Sequence, residues 1–489
     1  MLSLLIQKEL KSIIASPKFV GTFGTCAVLI LLSVFIGIQE YRASMTQYET
    51  ARQLNDQEMA ESSSWSALHT RVYRQPDPMQ IFVSGVHYDI GRFSAISEWE
   101  EIKLRRSNYS EDPIFAIFRF IDFSFVVQIA LSLLAILFTY DAINGEREQG
   151  TLKLTFANPV PRVRYILGKL IGSWLGMVIP LLIPILLALL LVLLYRIPLT
   201  ADHWLRIFLL IGFSLLFFTF FLALGLLVSA RTRSSSVAFL LLLVGWVTLV
   251  LIIPRAGAML AGQLVPVPGI AEIDSKLAGY SQERWDQHSE AMSQRYQERN
   301  AVTAGMSAEE REAYEDANMW AWLEEEDAER KKLQQDIREY GRKLQEDFRN
   351  RRAIQEQLAF ILARFSPASA YQLAAMQLAG NDIDLKTRYE DAMQAYRTIF
   401  NDFLDMKRKE SGGHSGMRIS ISSESGINIS TGGVDAQSLD LSEVPRFTPP
   451  DYPLSRSLGR VMPDLVLLVL FTVLAFAGAF VGFLRYDVR

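Results

Sequence analysis

The sequence predicts an α-helical polytopic membrane protein: six transmembrane helices carrying two large extracytoplasmic insertions, mainly helical with a small β-hairpin. Three observations lead there. Six separate apolar runs are each long enough to cross a hydrocarbon layer of roughly 30 Å. Basic residues gather at the connections that an even number of spans would place on one side. Half of the 489 residues are hydrophobic, yet the net charge is −4 and mean hydropathy only +0.16, so large polar regions must accompany the spans.

The chain opens with an amphipathic segment, residues 1–17. Leu2, Ile6, Leu10 and Ile13 recur at helical spacing, with Gln7, Lys8 and Lys11 elsewhere around the wheel. Two readings fit: a helix along the inner membrane surface, or a simple lead-in to the first span. The apolar runs follow at about 20–38, 123–140, 166–194, 204–228, 237–253 and 465–484. The first is read as an uncleaved span, because it is long and no small-x-small cleavage pattern follows it closely. The third contains Pro180 and Pro184, each removing a backbone donor, and a kink is expected there. Tyr195, His203 and Trp204 mark one end of the third and fourth runs as an aromatic belt would.

With the N-terminus inside, the cytoplasmic segments hold Lys8, Lys11, Lys18, Arg147, Lys153, Arg162, Arg164, Lys169, Arg231, Arg233, Arg485 and Arg489. The short outside loop near 195–203 holds Arg196 alone. The expected division is an inner-surface helix (1–17), the first span (18–40), a first extracytoplasmic domain (41–118), spans two to five (119–256), a second extracytoplasmic domain (257–462), and the sixth span with a cytoplasmic tail (463–489). Within the second insertion, residues 281–362 are highly charged and free of proline. Leu333, Ile337, Tyr340 and Leu344 begin a seven-residue repeat, predicting a long amphipathic helix packed on another near 281–300. Residues 382–409 are a further helical pattern. Residues 411–433, rich in Ser and Gly with alternating isoleucines, predict a hairpin or an exposed arm.

Several chemistries lack their residues. The single cysteine, Cys26, excludes an internal disulfide, and the histidines lack metal-ligand spacing. No GxxxxGK[ST], GxSxG or HExxH motif is present. The acidic run Glu324-Glu325-Glu326-Asp327 is read as a solvated helix face, not a metal site. The charge balance gives no reason to expect nucleic acid. Asp122 with Arg119 at the outer end of the second span forms either an outer-gate contact or an interfacial pair one helical turn apart.

The segment 141–169, DAINGEREQGTLKLTFANPVPRVRYILGK, is the most informative. It is a basic loop punctuated by Gly and Pro between two spans. Gly150 permits a turn or a close approach, and Glu146 and the basic side chains can make charge-assisted contacts. Its ordered pattern, Glu146-x-x-x-Gly150-Thr151-Leu152, then Pro159 and Tyr165-Ile166-Leu167-Gly168-Lys169, resembles the loop after the second span of type-2 ABC exporter permeases, the type V exporter fold. Lys153 and Phe156 depart from it, standing where acidic and Leu residues are common. The large region before the last span, with Phe365-Ser366-Pro367-Ala368-Ser369-Ala370-Tyr371 and Leu378-Ala379-Gly380, is similar to enlarged permeases of gliding-motility and nitrous-oxide-reductase-maturation systems.

The resemblance implies a permease without its own ATPase in a bacterial plasma membrane, both termini cytoplasmic. It would pair with a second, identical or related permease subunit and with cytoplasmic ABC ATPase subunits that bind ATP and Mg. Glu146, Arg147, Gly150, Thr151 and Leu152 would couple ATP hydrolysis to export of a substrate that the resemblance does not identify, a lipid or other amphiphile being one candidate. Two alternatives stay open: transmission of force to an extracytoplasmic protein without cargo, and a passive membrane anchor.

Overall fold

The computed structural model describes residues 2–62, 64–65, 68–96, 102–107, 121–410, 418–422, 426–430 and 439–484. Among the described residues, six helical stretches are long and apolar enough to cross a membrane: Pro17–Ala60, Phe123–Glu148, Arg162–Leu194, Ala201–Arg231, Ser235–Leu264 and Leu454–Leu484. The protein is a helical polytopic membrane protein with little sheet. Two bodies make it up, one of Met1–Ile252 with Ser366–Arg489, the other Ile253–Phe365.

The first body begins with α1 (Leu2–Ile14) and α2 (Pro17–Ala60). Pro17 opens α2, where its missing N–H is no loss. The apolar run ends near residue 38, but no Pro or Gly interrupts residues 39–60 and the helix continues to Ala60. Then come β1 (Thr70–Tyr73) and β2 (Phe93–Ile96), an antiparallel ribbon pairing Thr70 with Ile96 and Tyr73 with Phe93. The second span is α3 (Phe123–Val126), a π-helical turn at Val127–Leu131, and α4 (Ser132–Thr139). Two short helices, α5 (Asn144–Glu148) and α6 (Thr151–Phe156), lead into α7 (Arg162–Leu194). Pro180 and Pro184 both lie inside α7, which remains one helix through them. The following spans are α8 (Ala201–Arg231) and α9 (Ser235–Trp246), the latter continued by a π-helical turn at Val247–Ile252.

The second body holds α10 (Ile253–Leu264), α11 (Ile270–Thr303) and α12 (Ala308–Ala363). Ser307 caps α12 in a reciprocal box with Glu310. α11 and α12 form the expected helical pair, running antiparallel. Tyr280 stacks on Tyr340 at 4.0 Å, and Arg284 pairs with Asp336 at 2.6 Å. The acidic run lies along this pair: Glu325 meets Arg299, Glu326 meets Arg295, and Asp327 meets Arg330 and Lys331.

The first body resumes with α13 (Pro367–Ala379), α14 (Leu385–Glu410), the antiparallel strands β3 (Arg418–Ser422) and β4 (Gly426–Ser430), and α15 (Leu454–Leu484). The predicted hairpin at 411–433 thus forms over its two strands. α8 is the centre of the bundle, packed by α15, α4 and α13. The small residues of α13, Ala368, Ala370, Ala374 and Ala375, are fully buried, and Tyr371 stacks on Phe217 of α8 at 4.8 Å. Beyond the spans, the two predicted insertions share one core. Leu68, Val72, Ile90 and Ile96 from the first pack with Tyr389, Met393, Tyr396 and Phe400 from α14.

Candidate functional site at the 141–161 hairpin

Gly150 separates α5 from α6 in the left-handed conformation, φ +73°, which a side chain would strain. Space around it is open. The turn geometry therefore explains this glycine. Thr151 closes the turn by donating its hydroxyl to the Glu146 carbonyl at 3.1 Å.

The hairpin is held by buried anchors. Leu152 is 2% exposed and packs with Ile143, Tyr165, Ile166, Ala230 and Phe483. Glu146 exposes 12% of its side chain and is fully engaged. One oxygen accepts from Lys8 Nζ at 2.7 Å and lies 3.0 Å from Lys169 Nζ; the other accepts from the Tyr165 hydroxyl at 2.7 Å. Lys169 also donates to Glu9 at 2.7 Å. Two carboxylates and two ammonium groups thus balance, which is what makes burial of these charges tolerable. Glu146 and Leu152 point into the protein, not outward. Arg147 is half-buried beside them, and its backbone N–H donates to the Ile143 carbonyl.

The amphipathic helix α1 finds its partner here. Leu5, Glu9 and Ile13 meet Gly168, Gly172 and Gly176 of α7 respectively, so the two helices run side by side in the same direction. A Cβ at Gly172 would stand 2.6 Å from Glu9 Cβ, so the close approach depends on glycine. The glycine spacing of four in α7 was the sequence signal for this packing, and it is distinct from the apolar periodicity of α1.

Every span touches the segment. Lys18 of α2 donates to the Tyr140 hydroxyl at 2.8 Å and to Asp141 at 3.3 Å. Ser229 Oγ of α8 accepts from the backbone N–H of Ile143 and Asn144. Glu148 accepts from the backbone N–H and hydroxyl of Ser235 at the start of α9, both at 2.8 Å. Arg162 donates to the Leu484 carbonyl at the end of α15, and Tyr165 stacks on Phe483 at 5.1 Å. The outward surface of the hairpin carries Gln149, Lys153, Pro159 and Leu154, the last 70% exposed.

At the other end of the bundle, Asp122 caps α3. It accepts from Phe125 N–H and the Ser124 hydroxyl, both at 2.8 Å, and from Ser84 N–H at 2.8 Å and its hydroxyl at 2.7 Å. Arg119 lies outside the described residues. A buried charge with no role assigned from sequence also stands here. Arg206 of α8 pairs with Asp202 at 2.5 Å and donates to the carbonyls of Leu378 and Tyr452 at 2.7 and 2.6 Å.

Six apolar helices meeting one ordered hairpin define the class: a multi-pass membrane protein. The chain matches the model of the ABC-2 family transporter protein over residues 4–488, and it belongs to that family. The family's members are membrane components of ABC transporters, not themselves catalytic, and the family implies an ABC ATPase partner. No individual curated protein matches the chain.

Proposed function

We propose that this chain is the membrane-spanning permease of an ABC exporter, driven by a separate ATPase subunit and paired with a second permease subunit in a bacterial plasma membrane. The observation that carries the reading is the convergence of all six spans on residues 140–165. A push delivered to that hairpin reaches every helix of the bundle through specific contacts. The hairpin divides its labour. Glu146, Thr151 and Leu152 hold it to the bundle; Gly150 shapes its turn; Lys153 and Leu154 supply the surface that meets the ATPase. An exposed leucine flanked by a cation is the composition of a docking point for an apolar socket with an acidic rim. ATP and Mg are held by the ATPase.

Co-purification with a co-expressed ABC ATPase from the same organism tests this. Leu154→Asp is expected to abolish ATPase association and stimulated turnover while leaving the melting temperature unchanged. Retained association and turnover in that variant would overturn the docking assignment.

The long α11–α12 pair in the second body favours a second reading, in which the same ATP-driven motion acts on an extracytoplasmic protein without moving cargo. ATP-dependent uptake of a lipid or peptide into inverted vesicles separates the two: uptake supports export, and its absence alongside intact ATPase stimulation supports transmission.

A further inference from the structure

A cavity of about 190 Å³ lies between the far half of α2 and the β1–β2 ribbon. Three arginines line it, Arg74, Arg92 and Arg106, and among the described residues no carboxylate does. The backbone brings them together: Arg74 N–H donates to the Arg92 carbonyl at 2.7 Å, Arg92 N–H to the Arg105 carbonyl at 2.8 Å, and Arg105 N–H to the Phe93 carbonyl at 2.8 Å. Arg106 adopts φ +56°, unfavourable for a side-chain-bearing residue, and its guanidinium lies over the Phe93 ring at 5.7 Å.

Arg74 is the decisive residue. It is 8% exposed and forms no ion pair among the described residues. Its Nη1 lies 2.8 Å from His87 Nδ1 and its Nη2 donates to the His87 carbonyl at 2.7 Å, while its buried Nε has no partner. A buried guanidinium held only by neutral groups, with an unbonded Nε and Arg106 on the same cavity, is costly unless an anion completes it. Arg92 donates to Gln47 at 2.7 Å, and Glu40 of α2 lies near enough to feel its charge, yet Glu40 does not line the cavity. The remaining walls are mainly apolar and aromatic, with Tyr48, Tyr73 and Phe93. Arg74 and His87 also line the neighbouring cavity of about 230 Å³, whose walls include Asp77, Asp202 and Asp451, but Arg74 forms an ion pair with none of these aspartates.

We propose that the cavity between α2 and the β1–β2 ribbon is a binding site for an oxyanion, a phosphate ester or carboxylate, carried on a compact apolar or aromatic group. Guanidinium forks recognise such oxygens in pairs, and the aromatic walls take the apolar body. The source is either a soluble metabolite or a lipid headgroup, and both present the same chemistry.

Calorimetric titration of phenyl phosphate into the full-length protein in phosphatidylcholine nanodiscs tests the site. Wild-type protein is expected to bind, benzyl alcohol is expected not to compete, and Arg74→Lys and Arg106→Ala are each expected to weaken binding about tenfold, as loss of a charge-assisted hydrogen bond implies. Arg106 is exposed, so its variant keeps the test valid if Arg74→Lys folds poorly. Repeating the titration in nanodiscs containing phosphatidylglycerol locates the source. Weakened binding there supports a lipid headgroup as occupant, and unchanged binding supports a soluble ligand. No binding in phosphatidylcholine, or equal binding by wild type and Arg106→Ala, would overturn the proposal.

Discussion

Lys169 and Glu9, separated by 160 positions in the chain, form a buried ion pair at 2.7 Å. It fastens α1 to α7, and Glu146 joins the same cation from the hairpin side. The N-terminal helix is thereby tied to the hairpin at residues 141–161.

Removing one member of this cluster strands the others. Lys169→Met leaves Glu9 and Glu146 buried with Lys8 alone, and the expected loss is about 3–5 kcal/mol. Glu9→Met with Lys169→Met together should cost less than Lys169→Met alone, because that pair then leaves no orphan. Thermal unfolding of the three proteins in one detergent checks the order. A double variant less stable than Lys169→Met would show that packing, not charge, dominates the contact.

Gly172→Leu should separate α1 from α7. Its side chain would occupy the space of Glu9 Cβ, and overpacking of this kind costs about 1–3 kcal/mol. Faster hydrogen exchange confined to residues 2–14 is the expected signature. Gly21→Leu, at a glycine with nothing within 4 Å of an added Cβ, is the matched control and should leave exchange unchanged.

These contacts show how far the sequence was legible. The six spans, the helical pair α11–α12 and the hairpin at β3–β4 follow from apolar length and periodicity, which are local signals. The hairpin at 141–161 was legible as a segment, but not the direction of its side chains. Glu146 reads in sequence as a polar residue on a basic loop; only the return of α1 and α7 to the same place makes it an internal anchor. Arg206 sits in an apolar run; Asp202 one turn earlier is a local partner, but the carbonyls of Leu378 and Tyr452 that complete its burial lie far along the chain. Backbone acceptors carry no signature in sequence.

Asp122→Ala should lower stability by about 1 kcal/mol or more. It removes the α3 cap, and it leaves Ser84 N–H without its carboxylate. Asp122→Asn, which keeps one acceptor oxygen, is expected to recover part of the loss in thermal unfolding.

Acid should weaken the domain around His87. Burial, then the neighbouring Arg74 and Arg92, hold His87 well below the ordinary histidine value of 6.5. The folded state therefore binds fewer protons there than the unfolded chain, so stability rises with pH up to about 6.5 and is lost below it. His87→Gln should flatten that part of the profile. Melting temperatures between pH 8 and pH 5.5 measure it, and an unchanged slope in the variant would assign the effect to another group.

α2 is a single helix from Pro17 to Ala60, gripping Asp141 through Lys18 near one end and Thr70 and Arg71 through Asn55 near the other. At about 1.5 Å per residue it is a rod of roughly 65 Å. Lacking an internal proline or flexible break beyond its first turn, it turns a small tilt at its base into a long stroke at its tip: about 5° over that length sweeps nearly 6 Å. The same stiffness works in reverse, so a load applied at the tip is felt at the base with its leverage intact.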